Sequence, residues 1–282
     1  MVAAQFPQWA ALPVCPVEPN GWDNRTFRLG DKYSVRLPSH QRYAAQVAKE
    51  HQWLPVLAPQ LPLPIPTPVA MGNPTQEFPF HWSIYRWIDG EPASLNNIRD
   101  ESEFAKDLAH FLKALYAINA EDGPPAGAHN FYRGGSLQVY HEETQRTIDL
   151  LGDRVNGALA AEIWLEGLHS TWQNPPVWVH GDVAATNLVV QHGRLSAVID
   201  FGCAGVGDPA CDLVFAWTFL TEKGKKIFKL AIDLDDSTWA RARSWALWKA
   251  LIVFYGSLNS DPAKAQEAQR VIEVVMEDHR QS

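Results

Sequence analysis

Cysteine is scarce: Cys15, Cys203 and Cys211 are the only three in 282 residues. The count is odd and no CxxC occurs, which argues for a reducing cytoplasm over a disulfide scaffold. Cys203 and Cys211 lack metal-ligand spacing and read as small buried hydrophobes. Long apolar runs are also missing, so no segment is expected to span a bilayer. The opening stretch, MVAAQFPQWAALPVCPVEP, has no basic start ahead of an apolar core, which speaks against a signal peptide and for a cytoplasmic location. An excess of basic residues is absent too. Lys and Arg number 24 against 32 Asp and Glu, a net charge of −8, whereas phosphate backbones call for clustered cations. Neither a nucleic-acid nor a membrane partner is expected. Internal repeats and low-complexity tracts do not occur, and the oligomeric state stays open.

What is present is globular. With 46% hydrophobic and 20% charged residues, the chain has material for one large core or two modest ones. Charge is uneven: residues 1–88 carry seven basic and five acidic groups, residues 89–282 carry 17 and 27. The acidity of the second part serves solubility or steers a cationic partner.

The first third reads as strands and turns. NRTFRLG and KYSVRLP alternate in hydrophobicity and meet at Gly30-Asp31, a hairpin signal, with GWDN as a turn before them. From Gln41, QRYAAQVAKEHQWLPVLAP reads as a helix stopped by proline, with Val47, Trp53, Leu54 and Leu57 in its loose apolar spacing. The four alternating prolines of LPLPIPTPVAMG favour an extended path, and FHWSIYRWI reads as a strand. At DGEP, Asp89 to Pro92, the pattern changes. Phe104, Leu108, Phe111, Leu112, Leu115 and Ile118 form one helical stripe. Further helices are expected near 136–151, 157–172, 209–221, 237–256 and 262–278. Short strands are expected at 177–180, 187–191 and 195–199, with a turn at 192–194. The expected fold class is therefore α+β: a small, strand-rich lobe over residues 1–88, a hinge near 87–92, and a larger, mainly helical lobe over 89–282.

The chemistry is concentrated in VWVHGDVAATNLVVQHGRLSAVIDFG. His180-Gly181-Asp182, Asn187 after four intervening residues, a hairpin, and then Asp200-Phe201-Gly202 match the catalytic loop and metal motif of kinases. Asp182 on a loop can accept a proton from an attacking hydroxyl. Asn187 and Asp200 offer oxygens to Mg²⁺, a hard cation that bridges nucleotide phosphates. Any one of these residues alone would read as a turn cap or a filled turn.

Together the residues identify the chain as resembling the aminoglycoside phosphotransferase family, small-molecule kinases with a protein-kinase-like fold. VHGDVAATNLVV and VIDFGCAGVGDPACDLV carry most of the resemblance, and YRWIDGE and VRLP support it. The resemblance implies a bilobal fold with an antiparallel-sheet N-lobe, and Asp182 as catalytic base. Asn187 and Asp200 would hold Mg²⁺, with His180 and Asp212 bracing the loop. Asp208 opens the family's GDP turn, where a structural cap is the favoured role. Arg36 stands where the family's nucleotide-contacting lysine is usual, a cation that forks onto oxygens but is not equivalent to Lys. Glu50 would be its helical partner; an ordinary surface pair is the other reading. Asp23 and Asn24 would hold the turn over the phosphates, or a plain hairpin turn, and backbone groups near Trp87 and Ile88 would face the base.

Ala184 occupies the position where protein kinases carry a lysine, and neither a long activation loop nor an APE element follows. Both features point to a small acceptor. The expectation is transfer of the γ-phosphoryl of ATP or GTP to a hydroxyl of a small, possibly cationic acceptor such as an aminoglycoside. A silent nucleotide-binding pseudokinase is the alternative. A two-metal phosphoesterase would need further His and Asp ligands, which do not follow. Trp217, Trp239, Trp245 and Trp248 on the late helices read first as core and second as an aromatic wall. Asp233, Asp235 and Asp236 read as a helix start, with contact to an acceptor ammonium as the other possibility.

Overall fold

The computed structural model describes residues 1–18, 21 and 23–281. Pro19, Asn20 and Trp22, part of the expected phosphate-covering turn, lie outside the described residues. The chain opens with a short helix α1 (Val2–Gln5) and strand β1 (Val14–Pro16). Strands β2 (Asn24–Leu29) and β3 (Tyr33–Pro38) follow as the expected hairpin, Gly30 turning at φ 55°. Helix α2 (Gln41–Leu57) comes next, then β4 (Pro68–Gly72) and β5 (Trp82–Arg86). The five strands form one antiparallel sheet in the order β1-β2-β3-β5-β4.

Helix α2 carries Pro55 inside its last turn and ends at Leu57, ahead of Pro59. A proline costs one N–H bond, and close to the end of a helix whose Leu54 and Leu57 are buried in the core, packing outweighs that loss. The proline-rich stretch, expected to be extended, ends in a strand. Pro68 is the first residue of β4, an edge strand, where a missing donor is tolerated.

Period-2 alternation divides the sheet's side chains between two faces. Val35, Trp82 and Ile84 turn to one side and make a small core with Leu29, closed by Phe6, Trp9 and Leu12 of the N-terminal segment. Arg36 pairs with Ser83 across β3 and β5, and this other face also carries Tyr85. Helix α2 lies against that face: its His51 ring meets the Ser83 hydroxyl at 3.0 Å, and Tyr85 Oη donates to Glu50.

Past the sheet, Gly90 turns at φ 132°, where a Cβ would come within 2.4 Å of Val189, so only glycine fits. The short β6 (Glu91–Pro92) then pairs with β8 (Leu188–Gln191), itself paired with β9 (Arg194–Val198). His192 and Gly193, both at positive φ, make a two-residue hairpin turn between β8 and β9. Strand β7 (Val177–Val179) pairs with β10 (Gly205–Gly207). The helices are α3 (Glu101–Tyr116), α4 (His141–Leu151), α5 (Gly157–Leu168), α6 (Phe215–Thr218), α7 (Glu222–Ile232), α8 (Asp236–Ser257) and α9 (Pro262–Gln281). Every residue of the predicted α3 stripe is buried. Where one helix was expected over 209–221, Pro209–Val214 winds as a tighter 3-10 segment before α6. A second, large core joins these helices to Leu54, Leu57 and Tyr85 of the first part.

Candidate active site

The loop after β7 is fixed from beneath. Asp212, fully buried, accepts from the His180 N–H at 2.9 Å and the Gly181 N–H at 2.7 Å, one carboxylate oxygen for each. Burial pushes its pKa up, against His180 and those two amides, which hold it down. Gly181 sits at φ 80°, and a Cβ there would come within 2.4 Å of the Cys203 carbonyl oxygen. The His180 ring accepts the Asp182 N–H on Nδ1 at 3.2 Å, which leaves Nε2 as donor to the Ile199 carbonyl, 3.0 Å away. This buried histidine therefore ties the loop to the strand end that precedes Asp200, the bracing role expected of it.

Asn187 closes the loop. Its Nδ2 donates to the Asp182 carbonyl at 2.9 Å and to Asp182 Oδ2 at 3.3 Å. Its own carbonyl accepts the Ile199 N–H at 2.8 Å, so the loop and the end of β9 are held in one frame. Asp200 has φ 67°, a left-handed conformation that Asp and Asn tolerate better than most residues. Its Oδ1 accepts from Arg36 Nη2 at 2.8 Å, while Arg36 Nη1 reaches Glu50 at 3.4 Å. Burial disfavours the Arg36 charge, but Asp200 and Glu50 outweigh burial and raise its pKa. Arg36 and Glu50 are therefore not an ordinary surface pair: both are largely buried, and the guanidinium forks between an α2 carboxylate and the loop carboxylate.

Asp23 also faces this cleft. Its pKa is raised by burial, then by the nearby charges of Asp200 and Asp182, so three carboxylates repel one another around one space. Asn24 opens β2 and is buried. Trp87 uses its N–H on the Lys32 carbonyl at 2.9 Å, so that N–H is already engaged; Ile88 follows it toward Gly90. Asp208 caps the 3-10 segment through Ala210 N and pairs with Arg241, 2.6 Å from Nε, which fits the structural role favoured for it.

Three cations that the motifs do not reveal complete the site. Lys249 of α8 donates to Asp182 Oδ1 at 2.9 Å. Burial would raise the Asp182 pKa, but Lys249, Arg133 and His180 together bring it below the ordinary value. The Arg133 guanidinium lies over the rings of Trp248 and Trp245, 4.9 and 5.2 Å from their centroids. Lys49 donates to the carbonyls of Gly202 and Ala204 at 2.7 and 2.8 Å. Lys49 had a signal of sorts, standing beside Glu50; Lys249 is a lone cation in the apolar run WALWKALIV. All four late-helix tryptophans are core residues, and two of them also back Arg133. Asp235 caps α8 through Thr238 N, Asp233 ends α7, and Asp236 pairs with Lys229, so this cluster is a helix start.

The geometry has a counterpart in known proteins. The model of the phosphotransferase enzyme family matches residues 16–245. The chain belongs to that family. Among curated relatives, the aminoglycoside 3′-phosphotransferases of Escherichia coli and Salmonella typhimurium are each 29% identical, over 165 and 167 residues. These matches cover 55% of this chain and 60% of each relative, so the chain aligns with well under two thirds of their length. An aminoglycoside 2′-phosphotransferase-IIIa solved as its GDP complex is similar over 99% of this chain and 97% of its own, with TM-score 0.76 at 19% identity. The macrolide 2′-phosphotransferase of Brachybacterium faecium is similar over 96% and 98%, with TM-score 0.61 at 20% identity. At such identities the likeness is one of fold, and that fold is the bilobal α+β one expected. Among the described residues no helix is long and apolar enough to cross a membrane.

Proposed function

We propose that this phosphotransferase-family protein moves the γ-phosphoryl group of ATP or GTP to a hydroxyl of a small molecule. In this reading residues 1–88 cover the nucleotide and residues 89–282 supply the base, the metal ligands and the acceptor site. The carrying observation is the unbroken run of contacts across the cleft: Glu50 to Arg36, Arg36 to Asp200, the end of β9 to Asn187, and Asn187 to Asp182.

The residues present suit a magnesium site. Asn187 spends its amide N–H₂ on Asp182, so its side-chain oxygen is the group left to bind a cation, and Asp200 adds a carboxylate. Mg²⁺ characteristically takes one or two protein oxygens and completes its shell with phosphates and water. Asn187 and Asp200 would hold it, and when bound it would offset the charge that develops during transfer. Arg36 is placed to orient phosphate oxygens, and Glu50 and Tyr85 fix its fork. Asp182, ionised at neutral pH, accepts the acceptor's hydroxyl proton as the oxygen–phosphorus bond forms and the nucleoside diphosphate leaves. Asn187 and the His180 ring hold the Asp182 carboxylate and backbone in place for that step.

The test is a coupled nucleotide-consumption assay across acceptor classes, aminoglycosides included because the curated relatives carry that name. Asp182→Asn should lower turnover about 10²–10⁴-fold, and omitting Mg²⁺ should abolish it. An Asn variant that works at full rate with the best acceptor would show the base to be another group.

A further inference from the structure

Two cations stand at the Asp182 loop: Lys249 touches the Asp182 carboxylate, and the Arg133 side chain starts beside Gly181. Arg133 and Lys249 both lower the Asp182 pKa by their charge. Lys249 has Asp182 as its ion-pair partner and is 40% exposed, able to swing. Arg133 has no carboxylate within ion-pair distance among the described residues, and its Nε is buried with no hydrogen-bond partner there. That Nε has lost water without gaining an acceptor. What the guanidinium has instead is two indole faces, which restrain it. Tyr140 stacks on Trp248 with centroids 4.0 Å apart and donates its hydroxyl to the Phe131 carbonyl, so the backing is rigid. Glu143 accepts the Trp248 indole N–H at 2.8 Å and, among the described residues, makes no ion pair with either cation.

A preorganised cation that lacks an anion marks a binding position. Bound next to Asp182, a polycation would put ammonium groups against Arg133 and Lys249. The acidic cluster Asp233, Asp235 and Asp236 belongs to the junction of α7 and α8, where Asp235 caps α8 and Asp236 pairs with Lys229.

We propose that the acceptor carries an oxyanion group, a carboxylate or a phosphate, close to the hydroxyl that is phosphorylated, and that Arg133 and Lys249 bind it. The proposal rests on the kinase reading and names its acceptor class. When the hydroxyl takes its place on Asp182 Oδ1, the Lys249 ammonium moves from that oxygen to the acceptor's anion, and Arg133 meets the same group from the indole wall.

One carbon skeleton in several charge states tests this: gluconate, glucitol and glucamine, with glucitol 6-phosphate as the phosphate arm. Binding is read by calorimetry with MgADP present, and transfer by nucleotide consumption. The expected result is tighter binding of gluconate or the sugar phosphate than of glucitol, with glucamine weakest. Which of the two anions wins distinguishes carboxylate from phosphate. Arg133→Gln and Lys249→Gln, each checked for a wild-type circular dichroism spectrum, should weaken the preferred anion at least 10-fold and leave MgADP affinity within about 2-fold. Equal responses to all the charge states, absent responses included, or a preference for glucamine, would overturn the proposal. So would variants that weaken MgADP instead of the acceptor, since the two cations would then serve the nucleotide. Anion binding that depends on Arg133 with no transfer to any acceptor would leave this site standing and defeat the kinase reading.

Discussion

A half-buried lysine that faces carbonyls is an unusual thing for a helix to carry, and Lys49 shows what it costs. Burial pulls its pKa down to about 8, with Cys203 and Glu50 opposing. Its donors nevertheless go to Gly202 and Ala204, the stretch just after Asp200, so one residue of α2 holds that loop. A base whose folded pKa lies below its unfolded value binds fewer protons when folded. Wild-type stability measured against Lys49→Met should therefore rise as pH climbs from about 8 to 10.5, by on the order of 3 kcal/mol. Below pH 8 the difference should be flat. Denaturant midpoints of the two proteins across that range give the answer, and parallel pH curves would mean the lysine is as well solvated as an exposed one.

At the scale of elements, the ends of helices are where the structure spends its polar groups. Asp208 caps the 3-10 segment and is gripped by Arg241 of α8, which also bonds Ser170 and Thr238. Both partners are nearly buried. Removing one should be worse than removing both, because a lone buried charge is left behind. Arg241→Met should cost about 3–5 kcal/mol, and Asp208→Asn added to it should recover a good part, since Asn still caps the helix. A double-mutant cycle of unfolding free energies reads this directly; simple additivity would mean that the pair is not coupled. The same scale explains what was legible beforehand. Asp182, Asn187 and Asp200 lie within one short segment whose spacing is set by a loop and a hairpin, so local sequence encodes their convergence. Lys249 reaches Asp182 from 67 residues away, and Arg133 arrives on a loop before Gly134; only packing of α8 against the core brings them there. Pro55 and Pro68 show how tertiary context limits a local rule: burial of Leu57 in one case and an edge position in the other let a helix and a strand carry a proline.

For the molecule as a whole, the question is what joins the sheet to the helical part. The sheet's own core is small, built on Leu29, Val35, Trp82 and Ile84. Helix α2 is different: Leu54 and Leu57, with Tyr85 beneath them, belong to the large core. The apolar connection therefore runs through α2, and Arg36 adds a polar one between Glu50 and Asp200. This division of labour predicts separate outcomes for two variants. Arg36→Met leaves Glu50 buried with no cation, which should cost about 3–5 kcal/mol. Arg36→Lys keeps the charge but not the fork, reaching one carboxylate at a time, and should cost about 1–2 kcal/mol while raising the nucleotide KM about 10-fold. In both, calorimetry should still show a single unfolding transition, because the Leu54–Leu57 contact with the helical core is untouched. Two resolved transitions in Arg36→Lys would mean that the ionic bridge, not the apolar one, makes the two parts fold as one.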